Sequence, residues 1–194
     1  MSRPINSNRN SKPILDREYK VLKSYINGFD TYETTKIKWN RSIELLFSTG
    51  LRVSEILNIR IKDIEKAIKN SELSVFVKKQ KIIRHIPLSD KSVSTLTKLI
   101  EDEKDEDSYF IHKRNSKMSN LNPNGFTKDF NDLIQLVLGK DYSSHSFRKG
   151  IITEFSKKGI NPKITQSFIG HRNVTTTLNY YRPTQEDVRE CLVR

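Results

Sequence analysis

One cysteine, one tryptophan and two methionines are all that this 194-residue chain holds of those types. The lone Cys191 excludes an internal disulfide and supplies no thiolate cluster for a metal ion. No apolar run approaches the roughly 18 residues that a membrane-spanning helix requires. Residues 1–10 are polar and cannot form the apolar core of a secretory signal. A Gly-x-x-x-x-Gly-Lys-Ser/Thr phosphate loop is missing, and so is any internal repeat. What remains reads as a single cytoplasmic domain, at most one and a half domains long.

What the chain has in excess is positive charge. Thirty-five Lys and Arg face 23 Asp and Glu, for a formal net charge of +12 and a pI of about 9.7. Such an imbalance points to a polyanionic partner, most often nucleic acid. Association with the nucleoid follows as an expectation. Hydrophobic residues are 35% of the chain, low but sufficient for one core.

Periodicity predicts an α+β domain, mostly helical, with a small antiparallel β-sheet of two to three strands on one side. Residues 1–13 read as a flexible basic arm. Helices are expected from Asp16 to about Asn27 and through Tyr32, Trp39, Ile43 and Phe47, the second stopped by Gly50. A short helix should run from Glu55 to Ile59. Leu73–Val77 and Ile82–Leu88 read as a hairpin around Lys78–Lys81, with Ile61–Ile64 as a third strand. A helix from Ser89 or Asp90 to Ile100 leads into the acidic linker 101–107. Tyr109–Ile111 reads as a short strand or buried loop. Further helices are expected near 124–138, 145–158, 162–169, 174–181 and 184–192. Gly159 and Gly170 act as stops, and Pro162 takes a first-turn position.

Three clusters of residues stand out, and each also has an ordinary structural reading. Arg52 and Glu55, in Thr49-Gly50-Leu51-Arg52-Val53-Ser54-Glu55, could be a surface ion pair worth about 1 kcal/mol or less. His145 and Arg148 share a helix face and could lie on its wet side, but they also fall in a first turn that favours anions. His171 follows the stop Gly170, with Tyr180 nine residues on. Either Tyr180 or Tyr181 could be a packing aromatic.

Taken together, the three clusters resemble the boxes of the tyrosine recombinase (phage integrase) family. Thr49–Glu55 is similar to its first arginine box. His145-Ser146-Phe147-Arg148 is similar to its His-x-x-Arg box, with Phe147 where leucine is usual. Ile169-Gly170-His171 with Thr176-Thr177-Leu178-Asn179-Tyr180 is similar to its third. The resemblance covers residues 14–190 and implies a catalytic domain over 14–182 and a tail helix over 183–194 of the kind that docks on a neighbouring protomer, with packing on its own domain as the alternative. It implies a site-specific DNA recombinase or integrase that cuts and rejoins double-stranded DNA through a 3′-phosphotyrosine, needing no metal, cofactor or ATP. It also implies a stand-alone catalytic domain, self-association into a synaptic tetramer on DNA, and room for an accessory DNA-binding protein.

By the same resemblance Tyr180 is the nucleophile, with Tyr181 its neighbouring alternative. Arg52 and Arg148 grip the scissile phosphate, and His145 and His171 hydrogen-bond to it. Glu55 supports its neighbours. Lys79, found by counting back from Arg84–Pro87, is the general acid, with Lys78 and Lys81 as close alternatives in a loop that departs from the usual Gly-Lys-Gly.

The chemistry explains these residue types. Displacement at phosphorus builds negative charge on the non-bridging oxygens, and guanidinium is a permanent, bidentate counter-charge. Free tyrosine has a pKa of about 10, so only on the order of 0.1% is phenolate at neutral pH. Nearby cations favour that phenolate. The 5′ oxygen leaves once a lysine protonates it. Two other functions fit parts of the pattern. One is a type IB topoisomerase-like relaxase with the same chemistry. The other is a non-catalytic DNA-binding regulator built on a helix-turn-helix over Ile164–Asn179.

Overall fold

A computed structural model describes residues 11–78, 81–113, 116–170, 177, 178, 180 and 181. Among these, eight helices and one hairpin form: α1 Asp16–Gly28, α2 Glu33–Thr49, α3 Val53–Ile56, α4 Ile61–Asn70, β1 Glu72–Val77, β2 Ile82–Pro87, α5 Asp90–Ile100, α6 Pro123–Leu138, α7 Ser144–Lys157 and α8 Pro162–Ile169. They fall into two compact units, residues 1–151 and 152–194. Among the described residues no helix is long and apolar enough to cross a membrane.

The helix boundaries follow local chemistry. Glu18 caps α1 by accepting from the Leu15 N–H at 3.0 Å. Gly50, left-handed at φ 60°, ends α2, and its N–H donates to the Leu46 carbonyl. Ser89 caps α5, Asn122 caps α6 and Asn161 caps α8.

The sheet has two strands. β1 and β2 pair antiparallel, with Val75 opposite Arg84 and Leu73 opposite Ile86. Ile61–Ile64, expected as a third strand, instead opens α4. Asp63 accepts from the Arg60 N–H at 2.9 Å and so caps a helix there. Ile61, Ile64 and Ala67 recur at helical spacing and are buried, a pattern a four-residue window cannot separate from a strand. Tyr109–Ile111 is a loop, buried at Phe110 and Ile111, that meets this region through the Arg60–Tyr109 bridge and the Phe110 N–H bond to the Ile59 carbonyl.

In the first unit, α2, α6 and α7 meet through stacked rings. Trp39 lies 5.4 Å from Phe130, and Phe130 lies 6.2 Å from Phe147. Phe147 is fully buried, so the aromatic at this position packs directly on α6. Tyr19 donates to Glu44 Oε2 at 2.6 Å and stacks on Phe47, joining α1 to α2. Buried Arg41 pairs with Glu103 at 2.8 Å and donates to the Leu99 and Phe110 carbonyls. That bond set ties α2 to the end of α5 and to the buried loop.

Residues 11–14, the end of the expected arm and the first residue after it, run over α7. Lys12 N–H donates to the Asp141 carbonyl and Ile14 N–H to the Ser146 carbonyl, while Lys149 Nζ donates to Ser11 O. Residues 1–10 lie outside the described residues. Gly150 makes this close approach possible, because a Cβ there would run into the Ile14 carbonyl oxygen. In the second unit, Phe155 of α7 packs on Phe168 of α8 at 5.3 Å.

An alanine at a helical glycine ordinarily stabilises by about 1 kcal/mol. At Gly150 the collision with Ile14 should reverse the sign. We expect Gly150→Ala to lose about 1–3 kcal/mol, read as a lower urea midpoint. A raised midpoint would contradict the strap.

Candidate active site

Three segments distant in sequence border one cavity of about 220 Å³: Leu51–Ser54, the first turn of α6 (Pro123, Asn124, Thr127) and the first turns of α7 (Ser144, His145, Arg148). The N-terminal ends of α6 and α7 both face it, and their dipoles favour an anion there. The Ser144 N–H is already used, donating to Asn131 Oδ1 at 2.8 Å.

Arg52 leaves the Gly50 turn and enters α3. Its backbone N–H donates to Glu55 Oε2 at 2.8 Å and its Nη1 to Glu55 Oε1 at 2.7 Å. One carboxylate therefore caps the helix and orients the guanidinium. Glu55 is buried, while the Arg52 side chain stays 36% exposed at the cavity. This is no surface ion pair.

Arg148 is only 6% exposed. Its Nη1 donates to the Gly50 carbonyl at 2.8 Å, across 98 residues of sequence. Burial pushes the guanidinium down to about 9, Arg52 and Arg84 add to the shift, and Glu55 opposes it. It stays protonated at neutral pH. The wet-side reading of this residue fails.

His145 opens to solvent at the mouth of the cavity. Partial loss of water, then the cations Arg148, Arg52 and Lys149, push its imidazolium below the ordinary 6.5. The ring is therefore neutral at pH 7 and able to accept a proton.

Arg84 belongs to this cluster too, although sequence reading used it only to count back to the lysine. It is 5% exposed, and its Nη1 lies 3.7 Å from Glu55 Oε2. Burial lowers its proton affinity, Glu55 restores some, and Arg52 opposes. Strand alternation carried the signal: Arg84 is in phase with buried Ile86 and Leu88. Asn124, Thr127 and Ser144 also line the cavity without having been singled out.

Tyr180 is described within the second unit alone. Ser156 Oγ donates to its backbone carbonyl at 2.7 Å, and burial pushes its phenol above 10. The Tyr181 hydroxyl is hydrogen-bonded to Thr165 Oγ1. Lys79 and His171 lie outside the described residues. Lys78 and Lys81 flank the hairpin turn and are exposed, Lys81 with φ 55°.

Comparison with known proteins follows the same lines. Residues 17–187 match the model of the phage integrase family. The tyrosine recombinase XerA of Pyrococcus horikoshii is 29% identical over 152 residues, covering 76% of this chain and 51% of that protein. The tyrosine recombinase XerA of Pyrococcus furiosus is 28% identical over 184 residues, covering 94% and 61%. The chain thus spans about half the length of the curated relatives it matches. Its fold is similar to a crystal structure of XerA recombinase, with TM-score 0.69, 19% identity, and 98% and 65% of the two chains covered. It is also similar to the Tn1549 transposon integrase in complex with transposon right-end DNA, with TM-score 0.74, 21% identity, and 98% and 67% covered.

The electrostatics of His145 can be checked directly. Its imidazole should titrate below about 6.5 in the free protein, and Arg148→Met should move it upward by removing a neighbouring cation. Proton NMR over the four histidines, with His145→Gln for identification, reads both. Titration above 6.5, or no movement in the variant, would contradict the description.

Proposed function

The chain belongs to the phage integrase family, and on that premise we propose that it cuts and rejoins double-stranded DNA as a site-specific recombinase. The observation that carries this reading is the meeting of Arg52, His145 and Arg148 around one cavity, with Arg148 bonded to the Gly50 carbonyl. Two guanidiniums, Arg52 and Arg84, lie against one carboxylate, Glu55, and the charge of Glu55 also acts on Arg148. That excess suits a phosphodiester and the additional charge it develops during displacement.

In the proposed cycle the Tyr180 oxygen attacks the scissile phosphorus. The Tyr–O–P bond forms, the P–O5′ bond breaks, and a 3′-phosphotyrosine remains. Arg52 and Arg148 hold the non-bridging oxygens. Neutral His145 hydrogen-bonds to the phosphate and can take the phenol proton, and His171 is a second hydrogen-bonding partner. Lys79, or its neighbours Lys78 and Lys81, delivers a proton to the departing 5′ oxygen. Attack by a 5′ hydroxyl of a partner strand reverses each transfer. The ester bond energy is retained in the intermediate, so no ATP is required. Burial holds the Tyr180 phenol neutral in the free protein, and the cations around a bound phosphate would bring its pKa down.

Strand exchange further requires self-association, which we propose to be a synaptic tetramer on DNA, assisted by an accessory DNA-binding protein. XerA, which the chain resembles, is itself called a tyrosine recombinase, and the Tn1549 integrase was solved with transposon-end DNA.

Nicked suicide duplexes carrying any inverted or direct repeats found beside the coding sequence test this. Wild-type protein should form a covalent adduct that survives denaturation, Tyr180→Phe none, and Tyr181→Phe an adduct like wild type. Arg52→Ala and Arg148→Ala should each slow adduct formation about 100- to 1000-fold, with circular dichroism confirming that the variants fold. No adduct from wild type would leave a DNA-binding regulator. Adduct with plasmid relaxation but no recombinant product would mark a relaxase.

A further inference from the structure

The inner face of the β1–β2 hairpin carries a residue that packing alone does not explain. Along β2, Arg84 and Ile86 turn inward while Ile83 and His85 turn outward. Arg84 is 5% exposed and Ile83 59% exposed. A strand arranged this way forgoes the burial of an apolar side chain and instead strips water from a cation. Violations of local preference of this sort concentrate at functional sites.

The neighbours of Arg84 indicate what it does. Its Nη1 is 3.7 Å from Glu55 Oε2. The other oxygen of the same carboxylate is 2.7 Å from Arg52 Nη1, and Oε2 also accepts from the Arg52 backbone N–H. Glu55 therefore sits between two guanidiniums, one half-exposed at the cavity and one buried behind it. A carboxylate attracted from one side alone can swing about its last side-chain bond and carry its partner along. A second cation behind it restricts that motion.

We propose that Arg84 is a positioning residue for strand cleavage, fixing the Glu55 carboxylate so that Arg52 is held in place for the scissile phosphate. The proposal rests on the strand-exchange reading above. Arg84 acts through Glu55 and touches no reacting atom. Its charge also lowers the proton affinity of Arg148. The hairpin then has two duties, one at its tip and one on its inner face.

The test uses single-turnover adduct formation on the nicked suicide duplex, with DNA affinity measured in parallel by gel shift. Arg84→Met should bind DNA within about twofold of wild type and form adduct about 10- to 100-fold more slowly, the cost of a misplaced catalytic group. Arg84→Lys keeps the charge but not the planar fork, and should be slowed about three- to tenfold. Combining Arg84→Met with Glu55→Gln should be no slower than the slower single variant, because both changes remove one support. Circular dichroism and melting confirm folding, and Arg84→Lys with Glu55→Gln replaces the pair if Arg84→Met does not fold. Arg84→Lys at the wild-type rate, or losses that multiply in the double variant, would overturn the assignment. Failure of wild type to form adduct would instead remove the strand-exchange reading, and this proposal with it.

Discussion

The hydrogen bond from Arg148 to the Gly50 carbonyl is the contact on which the rest of the cavity depends. It joins the turn that ends α2 to the first turns of α7 at 2.8 Å, inside the protein. A buried guanidinium is costly unless its donors are aimed at acceptors that cannot move. The Gly50 carbonyl meets that condition, because the turn is fixed from several sides. Gly50 is left-handed, its N–H donates to Leu46 O, and Thr49 Oγ1 accepts from the Leu51 N–H at 3.2 Å. On the other side α7 is held by the Phe147–Phe130 stack and by the Ile14 strap, which Gly150 admits.

Once that bond is in place, the surrounding chemistry follows from charge and water. Beyond burial, Arg52 disfavours the protonated forms of Arg84 and Arg148, Arg84 adds to the effect on Arg148, and Glu55 opposes both. Such a cluster weakens the free protein, and in the proposed reaction it would strengthen the hold on a phosphate. Partial loss of water, with Arg148, Arg52 and Lys149, keeps His145 neutral. In the proposed cycle a neutral imidazole beside charged guanidiniums divides the work: the arginines would neutralise the phosphate and the histidine would exchange protons. The phenol of Tyr180 is shifted toward its neutral form by burial, so an unoccupied protein keeps its proposed nucleophile quiet.

The sequence was most legible where capping and spacing agree. Gly50 as the stop of α2, Ser89 at α5 and the hairpin around Lys78–Lys81 all appear where the residues predict them. Ile61–Ile64 misled because four residues do not distinguish a period of two from 3.6, and the deciding interaction is Asp63 reaching back to the Arg60 N–H. Ser11–Pro13 look like arm by composition, yet the Ser11 carbonyl accepts from Lys149 of α7 and the Lys12 N–H donates to Asp141 just before it, and composition does not report that. Arg84 was readable in the strand's alternation, but a charge on an inward position is ordinarily taken for an error of phase. Lys79 and His171 are named by sequence alone.

What the sequence determined by itself is the identity, order and spacing of the chemical groups: Arg52, His145, Arg148, His171 and Tyr180, a lysine-rich hairpin turn, and a surplus of positive charge. Those properties are local or additive, and so they survive without a fold. Only the tertiary structure decided that Arg148 is buried and bonded to Gly50, that Glu55 lies between two guanidiniums, and that Arg84 joins them. Desolvation and ångström-scale direction depend on which surfaces meet, and residues 98 positions apart acquire a common environment only when the chain has packed.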